Sequence, residues 1–256
     1  MTPPAVGVAR AESAANTRAL LTLEQVQTHI GRYHILHGVD LAIPEGEVTM
    51  LLGRNGAGKT TTLRTVLGLW RASAGRIVFG GRDVTHLATP DIAQLGIAYV
   101  PEDMGIFGGL TVRENLILAA RSGPPDPERL RWVLGLFPPL ERFWGSPAGV
   151  LSGAQKQMLA IARAIVEPRR LLLIDEPTKG LAPAVVNQLI GVFNELKAQR
   201  TTILMVEQNV MLARAIGDRV AVMVDGCVVH SASMTEFEAD ADVQGRLLGF
   251  SLGGQA

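Results

Sequence analysis

The stretch GRNGAGKT, residues 53–60, decides the fold of this chain. It matches the pattern G-x-x-x-x-G-K-[ST], in which a glycine-rich loop joins a strand to a helix. Glycines let backbone N–H groups converge on phosphate oxygens without a Cβ clash, and the following helix directs its positive end at the same point. An apolar run at residues 48–52 precedes the loop, and a helical pattern at residues 59–69 follows it. This context predicts a site for the phosphates of a nucleotide.

Two side chains of the loop carry specific roles in this prediction. Lys59 places a positive charge on the β- and γ-phosphates, and the Thr60 hydroxyl ligates Mg²⁺. The predicted nucleotide contacts of the loop and the first helical turn are Gly53, Arg54, Asn55, Gly56, Ala57, Gly58, Lys59, Thr60 and Thr61. ATP and Mg²⁺ are therefore the expected ligands.

A second motif, LLLIDE at residues 171–176, reads as a buried strand that ends in two carboxylates. In a parallel sheet the carboxyl ends of the strands form the ligand crevice. We expect Asp175 to reach the Mg²⁺ ion there. Glu176 is the predicted catalytic base, since it can orient or deprotonate a water that attacks the γ-phosphate.

Strands and helices alternate along much of the chain, which predicts a parallel sheet with helices on its faces. Two β-rich runs, at residues 20–30 and 36–43, come first, and Asp225-Gly226 between two apolar runs predicts a hairpin. The predicted fold is α/β: a P-loop NTPase three-layer core with an N-terminal antiparallel β subdomain and an inserted helical subdomain at about residues 105–166. Residues 19–250 form this single domain, between a disordered tail at 1–18 and a C-terminal tail at 251–256.

The amino-acid composition argues against several classes of function. The 24 basic residues balance 24 acidic ones, so the chain lacks the basic excess of a nucleic-acid-binding protein. A single cysteine cannot form an internal disulfide, which fits a reducing compartment. We find no apolar stretch long enough to span a bilayer and no secretory signal. These features predict a cytoplasmic chain that does not bind nucleic acid.

The segment LSGAQ, residues 151–155, lies between the loop and the acidic strand and closely resembles the L-S-G-G-Q signature of ATP-binding cassette ATPases. Ser152 is a good helix N-cap, and a capped helix start is an anion site. The resemblance implies that Ser152, Gly153 and Gln155 contact ATP held by a second, facing ATPase subunit, so that ATP lies between two head-to-tail cassettes. Ala154 departs from the family pattern, which has glycine there.

Three further positions are assigned by the same resemblance. Tyr33 lies where the family stacks an aromatic ring on adenine. Glu102 replaces a glutamine that links Mg²⁺ to the membrane domain, so we expect it to be a metal ligand. Gln208 replaces a histidine that senses the γ-phosphate; an amide can position water but cannot take up a proton near neutral pH. We therefore predict that Glu176 acts as the base and Gln208 only positions.

Three strings resemble the smaller ATPase of branched-chain amino acid importers: VPE at 100–102, EPTKGLAP at 176–183 and VEQN at 206–209. This resemblance implies a second ATPase subunit, in a homodimer or heterodimer, and two integral membrane permease subunits. It also implies a periplasmic solute-binding protein, which takes part indirectly. The ATPase would be cytoplasmic and peripheral on the inner face of the cell membrane. Amides or urea remain alternatives to amino acids as the solute.

Two other classes share the loop chemistry. A non-transport cassette ATPase of the repair type usually carries a long coiled coil between the loop and the signature, and residues 60–151 leave no room for one. Translation-type relatives usually carry two cassettes, and this chain has one. An unrelated P-loop kinase would need an acceptor pocket and would not need the signature at 152–155.

Overall fold

The computed structural model describes residues 18–121 and 123–248. The predicted tails therefore lie outside the described residues, except for Arg18. The strands are β1 (Ala19–Ile30), β2 (Tyr33–Pro44), β3 (Val48–Leu52), β4 (Ala72–Phe79), β5 (Arg82–Asp83), β6 (Ile97–Val100), β7 (Leu171–Asp175), β8 (Thr202–Val206), β9 (Arg219–Val224) and β10 (Cys227–Ser233). The α-helices are α1 (Lys59–Val66), α2 (Thr89–Gln94), α3 (Val112–Ala119), α4 (Pro127–Leu136), α5 (Pro138–Arg142), α6 (Gly153–Ile165), α7 (Pro183–Ala198), α8 (Val210–Ile216), α9 (Met234–Ala239) and α10 (Ala241–Leu248).

The larger sheet has six strands in the order β10-β9-β3-β8-β7-β6. All neighbours pair in parallel except β10, which forms an antiparallel hairpin with β9. Because β3, β8 and β7 are adjacent and parallel, their carboxyl ends lie at one edge of the sheet. That edge brings together the phosphate loop after β3, the acidic pair at the end of β7 and the segment after β8.

The smaller sheet has the order β2-β1-β4-β5 and is antiparallel throughout. It confirms the predicted N-terminal β subdomain. Its two long strands alternate buried and exposed residues over most of their length, as strands with one solvated face do. Its buried side chains pack with those of α1 against one face of the larger sheet.

The core lies on both faces of the larger sheet. In β7, Leu172 and Ile174 join the cluster that contains the helices after β6, whereas Leu171 and Leu173 join the cluster with the smaller sheet. This split follows the period of two of a strand. The sheet is thus a middle layer, which confirms the predicted three-layer α/β core.

Between β6 and β7 the chain forms helices α3 to α6, all within the range predicted to be helical. Each long helix there begins at a residue that caps it. Thr111 and Ser152 form capping boxes with Glu114 and Gln155, and Asp126 accepts from two backbone N–H groups of α4. In the part of the chain that the structure describes, no helix is both long and apolar enough to cross a membrane.

Two local features differ from the sequence-based expectation, and one agrees. Strand β6 was not predicted, because four residues at a sheet edge carry too little alternation to stand out. Helix α1 ends at Val66 rather than at residue 69, since Gly68 adopts a left-handed φ of 70° and ends it. The predicted hairpin is confirmed: Asp225 and Gly226 have φ of 43° and 76°, the two left-handed positions of a type I′ turn.

Candidate functional site

The phosphate loop closes tightly against the neighbouring hairpin. Gly53 has a φ of 149°, and a Cβ there would lie 2.3 Å from the carbonyl oxygen of Met223. Gly58, at the start of α1, has a φ of 104°. Both positions need glycine, one for space and both for conformation. The loop therefore packs closely on β9 and uses a left-handed backbone that glycine adopts without strain.

Lys59 lies beneath the loop. Its Nζ donates hydrogen bonds to the carbonyl oxygens of Gly53 (2.8 Å) and Arg54 (3.1 Å). Burial lowers the pKa of Lys59, and the nearby carboxylates of Glu176 and Asp175 oppose that shift. The Lys59 ammonium group is thus bound only to neutral carbonyl oxygens. An anion such as a phosphate would form a stronger interaction with it.

Asp175 is fully buried at the end of β7. Its Oδ1 accepts a hydrogen bond from Thr60 Oγ1 at 3.0 Å, and its Oδ2 accepts one from Tyr99 OH at 3.3 Å. Burial raises the pKa of Asp175, while the hydrogen bonds from Thr60 and Tyr99 oppose the shift. The structure thus brings together Thr60 and Asp175, two of the three side chains that the sequence assigned to Mg²⁺.

Sequence reasoning missed Tyr99. Burial and the adjacent Asp175 raise the pKa of Tyr99 to about 12, although the Arg64 guanidinium, hydrogen-bonded to the phenol, opposes this. The phenol therefore stays protonated and donates to Asp175. It lies on β6, the strand that was not predicted, so nothing in the sequence indicated that it adjoins β7.

Glu176 follows Asp175 in a left-handed conformation, with a φ of 45°. Its Oε1 accepts a hydrogen bond from Gln208 Nε2 at 2.6 Å, and the same Nε2 donates to Asn55 Oδ1 at 2.7 Å. Gln208 thus links the predicted base to the phosphate loop. The two predicted catalytic residues are in direct contact.

Lys179 is a second residue that sequence reasoning missed. Its Nζ lies 2.5 Å from Oε1 of Glu102 and 3.6 Å from Oε2 of Glu176. The carboxylates raise the pKa of Lys179, chiefly through the hydrogen bond with Glu102. The predicted metal ligand Glu102 is therefore paired with a cation beside Glu176. The sequence signal was the positive charge inside the motif at 176–183.

The predicted signature residues lie apart from this cluster. Ser152 is exposed at the start of α6, and its Oγ accepts from Gln155 N at 3.3 Å while Gln155 Oε1 accepts from Ser152 N at 2.9 Å. Gly153 is also exposed, with open space around its Cα. Within the described residues, no hydrogen bond joins Ser152, Gly153 or Gln155 to the phosphate loop of the same chain. This helix start faces outward.

Tyr33 is likewise exposed, with 60% of its surface accessible. It begins β2 in the smaller sheet, and the guanidinium of Arg32 lies 5.2 Å from its ring centroid. Its phenol accepts a hydrogen bond from Arg32 at 3.1 Å. The ring is therefore an open aromatic surface outside the buried cluster.

Comparison with known proteins agrees with this geometry. The family model described as ABC transporter matches residues 36–179. The high-affinity branched-chain amino acid transport ATP-binding protein BraG of Pseudomonas aeruginosa is 37% identical over 82% of this chain and 91% of its own. The probable branched-chain amino acid transport ATP-binding protein LivF of Archaeoglobus fulgidus is 37% identical over 79% of this chain and 87% of its own.

Solved structures give the same result. An ATP-binding subunit of an ABC transporter superposes with a TM-score of 0.76 at 29% identity, over 91% of this chain and 96% of its own. A dimeric ATP-binding cassette bound to ADP and Pi gives a TM-score of 0.75 at 25% identity, over 84% and 98%. The chain therefore belongs to the ABC transporter family and is an ATP-hydrolysing cassette of it.

Proposed function

We propose that this cassette powers a membrane importer for branched-chain or related amino acids, by hydrolysing ATP at the interface of a cassette dimer. The observation that carries the proposal is the convergence of three segments at one sheet edge: the phosphate loop, the Asp175-Glu176 pair and Gln208. The solute class rests on the two relatives named for branched-chain amino acid transport. Amides and urea remain possible solutes, since selectivity belongs to other subunits.

The residues divide the work of ATP hydrolysis. Backbone N–H groups of residues 53–61 and the Lys59 ammonium bind the phosphates. Glu176 holds the attacking water and takes its proton, and Gln208 fixes the position of the Glu176 carboxylate. Tyr33 offers its exposed ring to the adenine base. Each of these roles uses only backbone and side-chain groups of this chain.

The donor set around Asp175 fits Mg²⁺. A fully buried carboxylate beside a threonine hydroxyl supplies the oxygen ligands that this ion prefers. No ion pair within the described residues includes Asp175. Thr60 and Asp175 would hold the ion. Glu102 belongs to the predicted ligand set as well, although its carboxylate forms an ion pair with Lys179 in this structure. Bound Mg²⁺ would offset the negative charge of the β- and γ-phosphates.

The outward-facing start of α6 supports a dimer. Ser152, Gly153 and Gln155 are solvent-accessible and form an N-terminal anion site on a helix of 13 residues. They would bind the γ-phosphate of ATP held by the second ATPase subunit. The similarity to a dimeric cassette with ADP and Pi supports this arrangement.

The membrane partners would be two permease subunits, and the cassette would be peripheral on the cytoplasmic side. A groove of about 420 Å³ runs between the segment near Glu102 and helix α6. Apolar side chains line it, among them Ala98, Ala160 and Ala164, and three arginines, Arg121, Arg163 and Arg169, add positive charge. This groove is the surface we assign to the permeases, and a periplasmic solute-binding protein would act through them.

The test is ATP turnover by the assembled complex in lipid vesicles. We expect Mg²⁺-dependent hydrolysis that rises when the companion binding protein is loaded with leucine, isoleucine or valine. If an amide or urea stimulated hydrolysis instead, the proposed solute class would be replaced by that one. Failure to recover any membrane subunit with this chain from solubilised membranes would contradict the transport assignment.

A further inference from the structure

Glu207 is a buried carboxylate without an ionic partner. Only 2% of its surface is accessible, and it lies between β8 and Gln208. None of the ion pairs within residues 18–121 and 123–248 includes it. Burying a carboxylate is costly unless its oxygens are satisfied. Its neighbours therefore need to supply hydrogen-bond donors.

Four donors from two separate loops satisfy it. Oε1 accepts from Thr178 N at 3.0 Å and from Thr178 Oγ1 at 2.7 Å. Oε2 accepts from Gln208 N at 2.9 Å and from Asn209 N at 3.0 Å. One oxygen thus holds the loop after β7, and the other holds the loop after β8.

Both loops carry residues of the hydrolytic site. The loop after β7 contains Glu176, whose left-handed φ persists only where surrounding contacts enforce it. The Glu176 N–H donates to Val206 O, and Lys179 N donates to Glu176 O. Thr178 lies inside this turn, so its bonds to Glu207 help to hold the turn closed.

The loop after β8 carries Gln208, whose side chain contacts Glu176 at 2.6 Å. Glu207 fixes the backbone N–H of that same residue. One side chain therefore holds both the turn that carries the predicted base and the backbone of the amide that orients it. It adds a bridge between the two loops, beside the hydrogen bond of 3.5 Å from Asn209 Nδ2 to Thr178 Oγ1.

We propose that Glu207 is a positioning residue for ATP hydrolysis, which joins the Glu176 turn to the Gln208 loop. This inference rests on the proposed roles of Glu176 and Gln208. Glu207 does not touch the nucleotide in this scheme; it acts through those two residues. Its carboxylate suits the task because all four surrounding groups are donors and an ionised carboxylate is only an acceptor.

Glu207→Gln tests this with little change in size. The amide has one oxygen, and its NH₂ group would face N–H donors on one of the two loops. Whichever loop faces the NH₂ group loses its carboxylate acceptor, so the bridge between the loops is weakened. Glu236→Gln is the matched control, since the Glu236 carboxylate also accepts from an N–H and an O–H, those of Ser233, in a capping box on α9.

The readout is kcat and KM for ATP in the assembled complex, with the melting temperature of each variant. We expect Glu207→Gln to lower kcat by about tenfold or more while KM changes less than about twofold, because misplacing a reacting group slows chemistry without weakening phosphate binding. Glu236→Gln should keep the wild-type kcat. A kcat of Glu207→Gln within about twofold of wild type overturns the inference.

A double-mutant cycle separates positioning from loss of stability. If Glu207 acts on the Glu176–Gln208 pair, adding Glu207→Gln to a Gln208→Ala variant should lower kcat by less than the same change does in the wild type, because the pair is already broken. A full multiplicative loss in the double variant overturns the inference. If Glu207→Gln does not fold, Thr178→Val takes its place in the same cycle, because it removes one of the four hydrogen bonds. It should lower kcat when Gln208 is present but not in the Gln208→Ala variant. A wild-type complex without ATP turnover would overturn the proposed function and this inference together.

Discussion

Gln208 donates a hydrogen bond from Nε2 to Oε1 of Glu176 across 2.6 Å, although 32 residues separate them in the chain. The same nitrogen contacts Asn55 of the phosphate loop. An amide N–H bonded to a carboxylate oxygen restricts the orientation of that carboxylate, and the other oxygen of Glu176, Oε2, lies 3.6 Å from Lys179 Nζ. The contact therefore supports a division of roles in which Glu176 takes the proton and Gln208 holds the Glu176 side chain in place.

Replacing Glu176 with Gln should abolish most ATP turnover while ATP binding persists. The amide keeps the size and the contact with Gln208 but cannot accept a proton, and general-base catalysis contributes about 10²–10⁴-fold. We expect a fall of that order in kcat, with ATP affinity within a few-fold of wild type. Glu195→Gln, an exposed change on α7, is the control. Unchanged turnover in Glu176→Gln would remove Glu176 from the mechanism.

Gln208→Ala should lower kcat less than Glu176→Gln does. The base remains but loses the bond that orients it, so we expect a loss of about tenfold in kcat. Steady-state ATP hydrolysis by the assembled complex measures it. Wild-type kcat in Gln208→Ala would leave Gln208 without a catalytic role and would make the 2.6 Å contact merely structural.

Gly53→Ala should impair both folding and ATP binding. The new Cβ would lie 2.3 Å from Met223 O, on a backbone with a φ of 149°. Strain of this kind costs about 1–3 kcal/mol in the free energy of unfolding. Gly191→Ala is the control, because no atom lies within 4 Å of a Cβ there and alanine favours the interior of α7. Equal stability of the two variants in chemical denaturation would contradict the close approach of the loop to β9.

Alkaline pH should destabilise the chain partly through Tyr99. Its pKa is raised to about 12 in the folded protein, so the unfolded phenol loses its proton first, near its ordinary pKa of 10.0. The unfolded state then binds fewer protons, and stability falls as pH rises from about 10 to 12, by up to about 1 kcal/mol per pH unit. Tyr99→Phe should show a shallower loss between those pH values in urea denaturation. Tyr33→Phe, at the other tyrosine, should behave like wild type; identical slopes in all three proteins would contradict the raised pKa of Tyr99.

The sequence predicted those parts of the site that lie inside local motifs. The contact of Thr60 with Asp175 follows from a loop and a strand end whose chemistry requires them to meet. Tyr99 could not be predicted, because it is 76 residues from Asp175 and lies on a four-residue strand without a clear pattern. Lys179 was visible only as a charge, since its pairing with Glu102 spans 77 residues. Contacts that depend on the order of strands in the sheet can be predicted only once the fold is known.

Much of the fold could also be predicted, because several of its strands are visible as local sequence patterns. Strands buried on both faces, such as β3 and β7, are continuous apolar runs bounded by turn residues, and each was predicted to within one residue. The order β3-β8-β7 was not, because neighbours in a parallel sheet are set by crossover packing rather than by local pattern. That order is what places Gln208 between the loop and Glu176.

The central claim is that the loop at residues 53–60 binds ATP together with Mg²⁺. Equilibrium titration of the purified chain with ATP, in the presence and absence of Mg²⁺, tests it most directly. We predict saturable binding that Mg²⁺ strengthens and that Lys59→Ala weakens by about tenfold or more, since the variant lacks the charge placed at the phosphates. Absence of any Mg²⁺-dependent affinity for ATP in the intact chain would contradict the account.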